Sequence, residues 1–240
     1  MSTLLLRLTS PLQSWGVNSK FDWRYTERMP SKSAVIGLIA SALGIKRNGD
    51  INENICDLLF GVRVDNEGML LKDFHTVQNP DNKTKKIVTN RYYLADAVFL
   101  AGLEGDVSLL SEIEQALRFP VFPLFLGRRS CPPEGQVVLG IREKSLLDAL
   151  REEPWLVSEY MQKKAPSQIS LRIFADAEET DQDAFFQRDV PISFNQEHRQ
   201  FGFRRVAEQR DPVTITNQNS YRASTEDQTD HDAYAEVEAP

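Results

Sequence analysis

Apolar and polar residues alternate at the start of the chain. Leu4, Leu6 and Leu8 share one side of residues 3–9, and Leu5, Arg7 and Thr9 share the other. That period of two predicts a strand with one well-buried face. A turn-rich connection follows, Ser10-Pro11-Leu12-Gln13-Ser14-Trp15-Gly16, and residues 17–29 read as a long loop. Val35, Ile36, Leu38, Ile39, Ala42 and Leu43 then recur at helical spacing, with Ser31 placed as N-cap and Gly44 as the left-handed stop. A short helix is predicted over 51–59. Strands over 60–65 and 69–77 flank Asn66-Glu67-Gly68, a hairpin signal. A polar, basic stretch over 78–91 leads back into a strand over 91–101, with Tyr93, Ala95, Ala97 and Phe99 on one face. Two strands joined by so long a tip predict a projecting finger, with a merely solvated loop as the competing reading. Leu109, Leu110, Ile113 and Leu117 mark an amphipathic helix over 108–117, and a strand over 136–141 and a short helix over 145–151 complete the first part. This order predicts an α+β fold with a ferredoxin-like βαββαβ domain over residues 1–150 and an elaborated hairpin.

Beyond residue 150 the pattern changes. Residues 168–174 alternate as a strand, 175–183 form an acidic loop of five carboxylates, and 190–194 and 201–206 read as short strands. We therefore expect a smaller β-rich region over 151–215. Residues 216–240 are polar, acidic and poor in core-forming residues, which predicts a disordered tail.

Composition narrows the class. Of 240 residues, 41% are hydrophobic and 26% charged, as in ordinary globular proteins. No apolar run approaches the roughly 18 residues that span a bilayer, and the N-terminus lacks the basic region and apolar core of a signal peptide. Cys56 and Cys131 are the two cysteines, so free thiols and a cytoplasmic location are expected. The net charge of −7 argues against nucleic acid until its distribution is considered. Residues 211–240 hold seven acids against one arginine, so the rest of the chain is close to neutral, and local basic clusters govern binding.

Three clusters stand out. The first is Pro123-Leu-Phe-Leu-Gly-Arg-Arg-Ser-Cys-Pro-Pro133, where a glycine precedes paired guanidiniums and two prolines close the exit. Gly127 permits close approach to the main chain, Arg128 and Arg129 offer forked donors for phosphate, and Ser130 adds a hydroxyl. An exposed turn with two solvated arginines is the competing reading. In the second, residues 17–29 interleave Lys20, Arg24 and Arg28 with Phe21, Trp23 and Tyr25, a pattern suited to phosphates and bases together. The alternative is aromatics that pin the loop to the core, which we prefer for Phe21 and Trp23. The third is the finger, with Lys83, Lys85, Lys86 and Arg91 opposed by Asp81. Ser31, Lys32 and Ser33 at a helix start could hold a phosphate or simply cap the helix, and Arg204 adds a cation on a C-terminal strand. Tyr92, Tyr25 and Phe125 are candidate stacking platforms, with core packing as the competing fate.

Five blocks in series resemble one family. They are residues 4–16, 30–45, Asp-Phe-His-Thr-Val at 73–77, Arg-Tyr-Tyr-Leu-Ala-Asp-Ala at 91–97, and Leu-Gly-Arg-Arg-Ser-Cys-Pro at 126–132. Together they look like the Cas-five subunits (CasD) of type I-E CRISPR Cascade complexes, over roughly residues 3–140 and loosely over 141–210. The resemblance implies a ferredoxin-like RNA-binding domain with a thumb hairpin, here at about 76–92. It implies a subunit that holds the 5′ handle of the CRISPR RNA, caps the filament of backbone subunits, and docks the large subunit for antiviral DNA targeting. Arg91 matches a thumb arginine, and Gly127, Arg128, Arg129 and Ser130 match the handle loop. Asn90 stands where the relatives carry a tryptophan, and the thumb reads as shorter than theirs. The implied partners are CRISPR RNA, a backbone subunit, the large subunit and, indirectly, target DNA, with no membrane.

A related branch, in type I-C systems, cuts the CRISPR precursor, so a metal-independent endoribonuclease is the alternative. Such cleavage needs a base, an acid and a cation. His75 falls within a predicted strand, His198 in a polar segment and His231 in the tail, with no Tyr-Lys-His grouping. There is no zinc-ligand spacing, no Gly-rich nucleotide loop and no nucleophile elbow. We expect a non-enzymatic protein without cofactor or metal.

Overall fold

The computed structural model describes residues 1–16, 23–49, 52–79, 82–178, 181–195 and 198–221, with the side chains of residues 79, 82–85 and 87 outside that set. Of the tail predicted over 216–240, residues 216–221 are described, with Asn217 and Ser220 buried, and the rest, together with Lys20, Phe21 and Asp81, lies outside the described residues.

Strand β1 (Ser2–Thr9) buries Leu4, Leu6 and Leu8 as its alternation predicts, but Leu5 on the opposite side is equally buried. The expectation of a single buried face is corrected: β1 is an interior strand covered on both sides. Leu4, Leu6 and Leu8 pack with Val35, Ile36 and Ile39 of α1 (Lys32–Ala42) and with Leu110, Ile113 and Leu117 of α3 (Val107–Arg118). Leu5 joins Leu146, Ala149 and Leu150 of α4 (Leu146–Glu152). Between α1 and α3 in sequence lie α2 (Glu53–Asp57), β4 (Leu59–Asn66) and β7 (Val98–Gly105), and β8 (Val138–Arg142) follows α3. The sheet order β8-β1-β7-β4 is antiparallel at every step, with α1 and α3 in the crossovers. This is the split βαβ arrangement that the element order predicts.

The sheet does not stop at residue 150. After α5 (Glu159–Lys164), β9 (Gln168–Asp176) pairs with β4, and β11 (Gln200–Glu208) and β10 (Phe185–Ser193) continue outward, while β12 (Val213–Thr216) also pairs with β9. Arg63 fastens β4 to the end of α4. Its fully buried guanidinium donates Nε and Nη2 to Asp65 at 2.7 and 2.9 Å, and reaches the carbonyls of Leu150 (2.7 Å), Glu153 (2.5 Å) and Pro154 (2.8 Å). All five N–H groups are used, and a cation at the end of α4 meets the carbonyls that the helix leaves unpaired. Burial pushes the Asp65 carboxyl above its ordinary value, against the opposing pull of Arg63.

A second sheet carries the finger. The hairpin expected around Asn66-Glu67-Gly68 is corrected: β4 pairs with β7 and β9, and the chain turns a corner at Gly68 (φ 67°) into β5 (Met69–Asn79). A Cβ there would sit 2.4 Å from the Ala95 carbonyl oxygen, so glycine is required. β5 pairs with β6 (Asn82–Ala95) from Met69↔Ala95 out to Gln78↔Lys86 and Asn79↔Asn82. Most of the stretch read as a loop over 78–91 is therefore strand. β2 (Leu12–Gln13) and β3 (Trp23–Arg24) flank the other edge of β6, the latter in parallel. Buried Gln13 donates to the carbonyls of Leu8 (3.2 Å) and Ala97 (2.7 Å) and accepts from Trp15 Nε1 (3.1 Å). One amide thus ties the finger's root to the main sheet. Among the described residues no helix is long and apolar enough to cross a membrane.

Candidate nucleic-acid interface

The glycine–arginine loop lies against the root of the finger. Gly127 has φ 85°, and a Cβ at this position would fall 1.6 Å from the Ser14 carbonyl oxygen. Ser14 N donates to Leu126 O (3.2 Å), Leu126 N to Cys131 O (2.7 Å) and Cys131 N to Arg128 O (2.9 Å), so the loop closes on itself and on the 12–16 segment. Arg128 is thereby aimed at β6. Its guanidinium lies over the Tyr93 ring at 4.6 Å, and Nη2 donates to the Arg24 carbonyl at 2.7 Å. Arg24 and Arg91 are backbone partners across β3 and β6. Arg128, Arg24 and Arg91 consequently converge on the face of β6 that carries Tyr93.

Two donors there remain unused. Arg128 Nη1 and Arg91 Nε are buried and have no hydrogen-bond partner among the described residues. A buried donor without an acceptor is costly, and both belong to guanidiniums that prefer a charged oxygen. Arg129 and Ser130 are exposed beside them, and Arg28 is exposed in the bend after β3. Lys86 is exposed far out on β6, opposite Gln78. Lys83 and Lys85 belong to the same strand, but their side chains lie outside the described residues. Phe125 is half-buried beside the loop.

Other candidates are placed elsewhere. Lys32 is buried: its Nζ is 3.7 Å from Asp176, and its backbone N–H donates to Asp189 at 2.8 Å. Burial pushes its ammonium below the ordinary lysine value, against the attraction of Asp176. Arg204 binds Asp176 at 2.6 Å and Asp189 at 2.7 Å, and lies 5.2 Å over the Phe60 ring. Burial opposes its charge, but the two carboxylates outweigh that and hold it above the ordinary arginine value. Ser31 caps α1 by accepting from Ala34 N, and Ser33 is buried 3.3 Å from it. Of the candidate RNA contacts, Lys32 and Arg204 therefore lie in an ion-pair network that joins α1 and β11 to β9 and β10, while Ser31 and Ser33 bond each other at the start of α1. The cause is packing, because Asp176 and Asp189 neutralise both cations. Burial also pushes the Cys56 and Cys131 thiols upward, so both stay protonated at neutral pH.

Trp23 is corrected too. It does not pin its loop to the core but is 46% exposed, and it stacks on Tyr25, which stacks in turn on Tyr92. Lys72, which the sequence reading passed over, reaches across these rings. Its place within a predicted strand gave no signal, because the pairing of β5 with β6 is what brings it there. His75 Nε2 is 2.9 Å from Asp73 on an exposed part of β5. Among the described residues no three His, Cys, Asp or Glu side chains converge on a metal position.

With this geometry in place, comparison defines the class. The chain belongs to the CRISPR-associated protein family Cas_Cas5, whose profile matches residues 3–207, from β1 into β11. Particular relatives sharpen this. The CRISPR system Cascade subunit CasD of Escherichia coli (strain K12) is 35% identical over 60% of this chain and 73% of its own length. A crystal structure of a Cas protein is 37% identical with a TM-score of 0.69, covering 91% of this chain and 97% of that one. A chain of a CRISPR RNA-guided surveillance complex is 31% identical with a TM-score of 0.74, covering 91% and 92%. The resemblance read from the five sequence blocks holds at the level of family and relatives.

Proposed function

We propose that this chain is a non-catalytic, RNA-binding subunit of a Cascade-type surveillance complex. It holds the 5′ handle of the CRISPR RNA, caps the filament of backbone subunits and docks the large subunit for DNA targeting. Its likeness to CasD and to a chain of an RNA-guided surveillance complex supports the assembly. The observation that carries RNA capture is the pair of buried, unpartnered guanidinium donors, Arg128 Nη1 and Arg91 Nε, at the finger's root. Phosphate oxygens satisfy such donors, and stacking on Tyr93 holds Arg128 ready for them. Gly127, Arg129 and Ser130 complete the loop, Arg24 and Arg28 flank it, and Lys83, Lys85 and Lys86 extend the positive track along the finger.

The test is an Arg128→Ala/Arg129→Ala double variant titrated with handle RNA at several salt concentrations. Each phosphate contact on a single strand adds about 0.7 to the salt slope. Losing two contacts should therefore weaken binding and lower the slope by about 1.4. An unchanged affinity and slope would overturn the reading. The alternative, metal-independent cleavage of precursor RNA, has one observation in its favour: the His75–Asp73 pair on β5, whose Asp73 is the register partner of Arg91. Cleavage in the presence of EDTA that His75→Ala abolishes would establish it.

A further inference from the structure

We infer that Trp23, Tyr25, Tyr92 and Lys72 form a platform that stacks a nucleobase of single-stranded RNA, on the face of the finger opposite Arg128. The inference rests on the RNA-binding reading above and adds a second contact to it. Successive residues of a strand point to opposite faces. Tyr93 and Arg91 face Arg128, so Tyr92 faces away; Arg24 shares the first face, so Trp23 belongs to the second. Lys72 is the register partner of Tyr92, and Phe74 and Trp23 are both partners of Asn90. Two rows, Lys72–Tyr92 and Phe74–Asn90–Trp23, thus lie side by side on one surface.

The rings on that surface are already arranged for stacking. Trp23 and Tyr25 have centroids 6.0 Å apart at 18°, and Tyr25 and Tyr92 are 5.2 Å apart at 17°. Near-parallel planes leave flat ring faces on which a further π-system can stack. Trp23, Tyr25 and Phe74 are 46%, 49% and 69% exposed, so this apolar area lies open to solvent. Lys72 Nζ is 5.6 Å from the Trp23 ring centroid and 6.0 Å from that of Tyr92, which places a cation where the phosphate of a stacked nucleotide would need one. Arg24, on the other side of the same two-residue strand, carries the carbonyl that holds Arg128. An RNA strand gripped by Arg128 can therefore pass the edge of β3 and lay its next unpaired base on Trp23. Aromatic stacking without sequence preference, combined with a nearby cation, is how single strands are held.

The experiment uses the full chain with Trp23→Ala, Trp23→Phe and the Arg128→Ala/Arg129→Ala variant. Each is titrated with fluorescein-labelled single-stranded handle RNA across a salt series. Stacking of one base predicts that Trp23→Ala weakens binding by about 5- to 160-fold with an unchanged salt slope, while Trp23→Phe retains most of the affinity. The thermal melts of the Trp23 variants should match the parent, because the side chain is half-exposed. If Trp23→Ala binds RNA like the parent while the arginine variant weakens, the platform is refuted and RNA capture by the loop stands. If neither variant weakens, the functional reading itself fails. If Trp23→Ala keeps RNA affinity but no longer co-purifies with the other subunits, the surface binds protein and the inference is overturned.

Discussion

Replacing Gly127 by alanine tests whether the Gly127–Ser130 loop depends on the close approach of its backbone to Ser14. The new Cβ would lie 1.6 Å from the Ser14 carbonyl oxygen and 2.7 Å from its carbon, both main-chain atoms, so no rotamer change relieves it. The left-handed φ of 85° adds a conformational cost of about 1–2 kcal/mol for any side chain. Parting the two segments also breaks the bond from Ser14 N to Leu126 O, at about 0.5–1.5 kcal/mol. Together these predict a loss of about 1.5–3.5 kcal/mol, or about 3–14 °C in Tm for a chain of this size. Gly135→Ala is the control. Gly135 also has a positive φ, 68°, but its nearest neighbour would be the end of Arg7 at 3.6 Å, so only the conformational part of about 1–2 kcal/mol applies. Calorimetry of both variants, with handle RNA binding measured beside it, separates the contributions. Gly127→Ala should melt well below Gly135→Ala and lose RNA affinity, because displacing the loop moves Arg128 off Tyr93. Equal melting of the two variants would refute the close approach, and retained affinity would refute the dependence of Arg128 on it.

Removing Arg63 strands a buried carboxylate, so Arg63→Met should cost about 3–5 kcal/mol by chemical denaturation. Arg63→Met/Asp65→Leu, which removes both charges, should cost less than the single variant, and the reverse order would contradict the web described for β4 and α4. At acid pH the Arg172–Glu208 pair gives a signed prediction. The hydrogen bond from Arg172 holds the Glu208 carboxyl below its ordinary range. Its stabilisation is therefore complete above the unfolded glutamate pKa and is lost as pH falls through the lowered folded value. Glu208→Gln should melt slightly below the parent at neutral pH, by no more than about 1 kcal/mol for so exposed a pair, and coincide with it once the carboxylate is protonated. A gap between the two melting curves that persists at the acid end would refute the linkage.

Much of this was legible in the chain itself. α1 shows a serine N-cap and a Gly44 stop with φ 77°, and α3 shows its apolar stripe, because caps and period-3.6 patterns are local signals. The Gly127 loop was legible for the same reason, since a positive φ announces itself through glycine. The finger's length was not. Lys83, Thr84, Lys85 and Lys86 follow one another in sequence without an alternation of apolar and polar positions, so strand read as loop. The corner at Gly68 imitates a hairpin, because a turn signal cannot tell which strand will pair next. Lys32 looked free because its neutralising carboxylates lie more than a hundred residues later in sequence: Asp189 is separated from it by 157 positions. Trp23 looked like a core residue because only the parallel register with Asn90 puts it in the open.

The buried amide of Gln13 has a mechanical consequence. Apolar packing lets a hinge roll, but an amide fixed at 2.7 and 3.2 Å to two carbonyls, and at 3.1 Å to an indole, admits one angle. The arm therefore behaves as a lever clamped at its fulcrum. Any swing of the arm arises past the Trp23–Asn90 rung, and amide protons below that rung should exchange as slowly as those of the core.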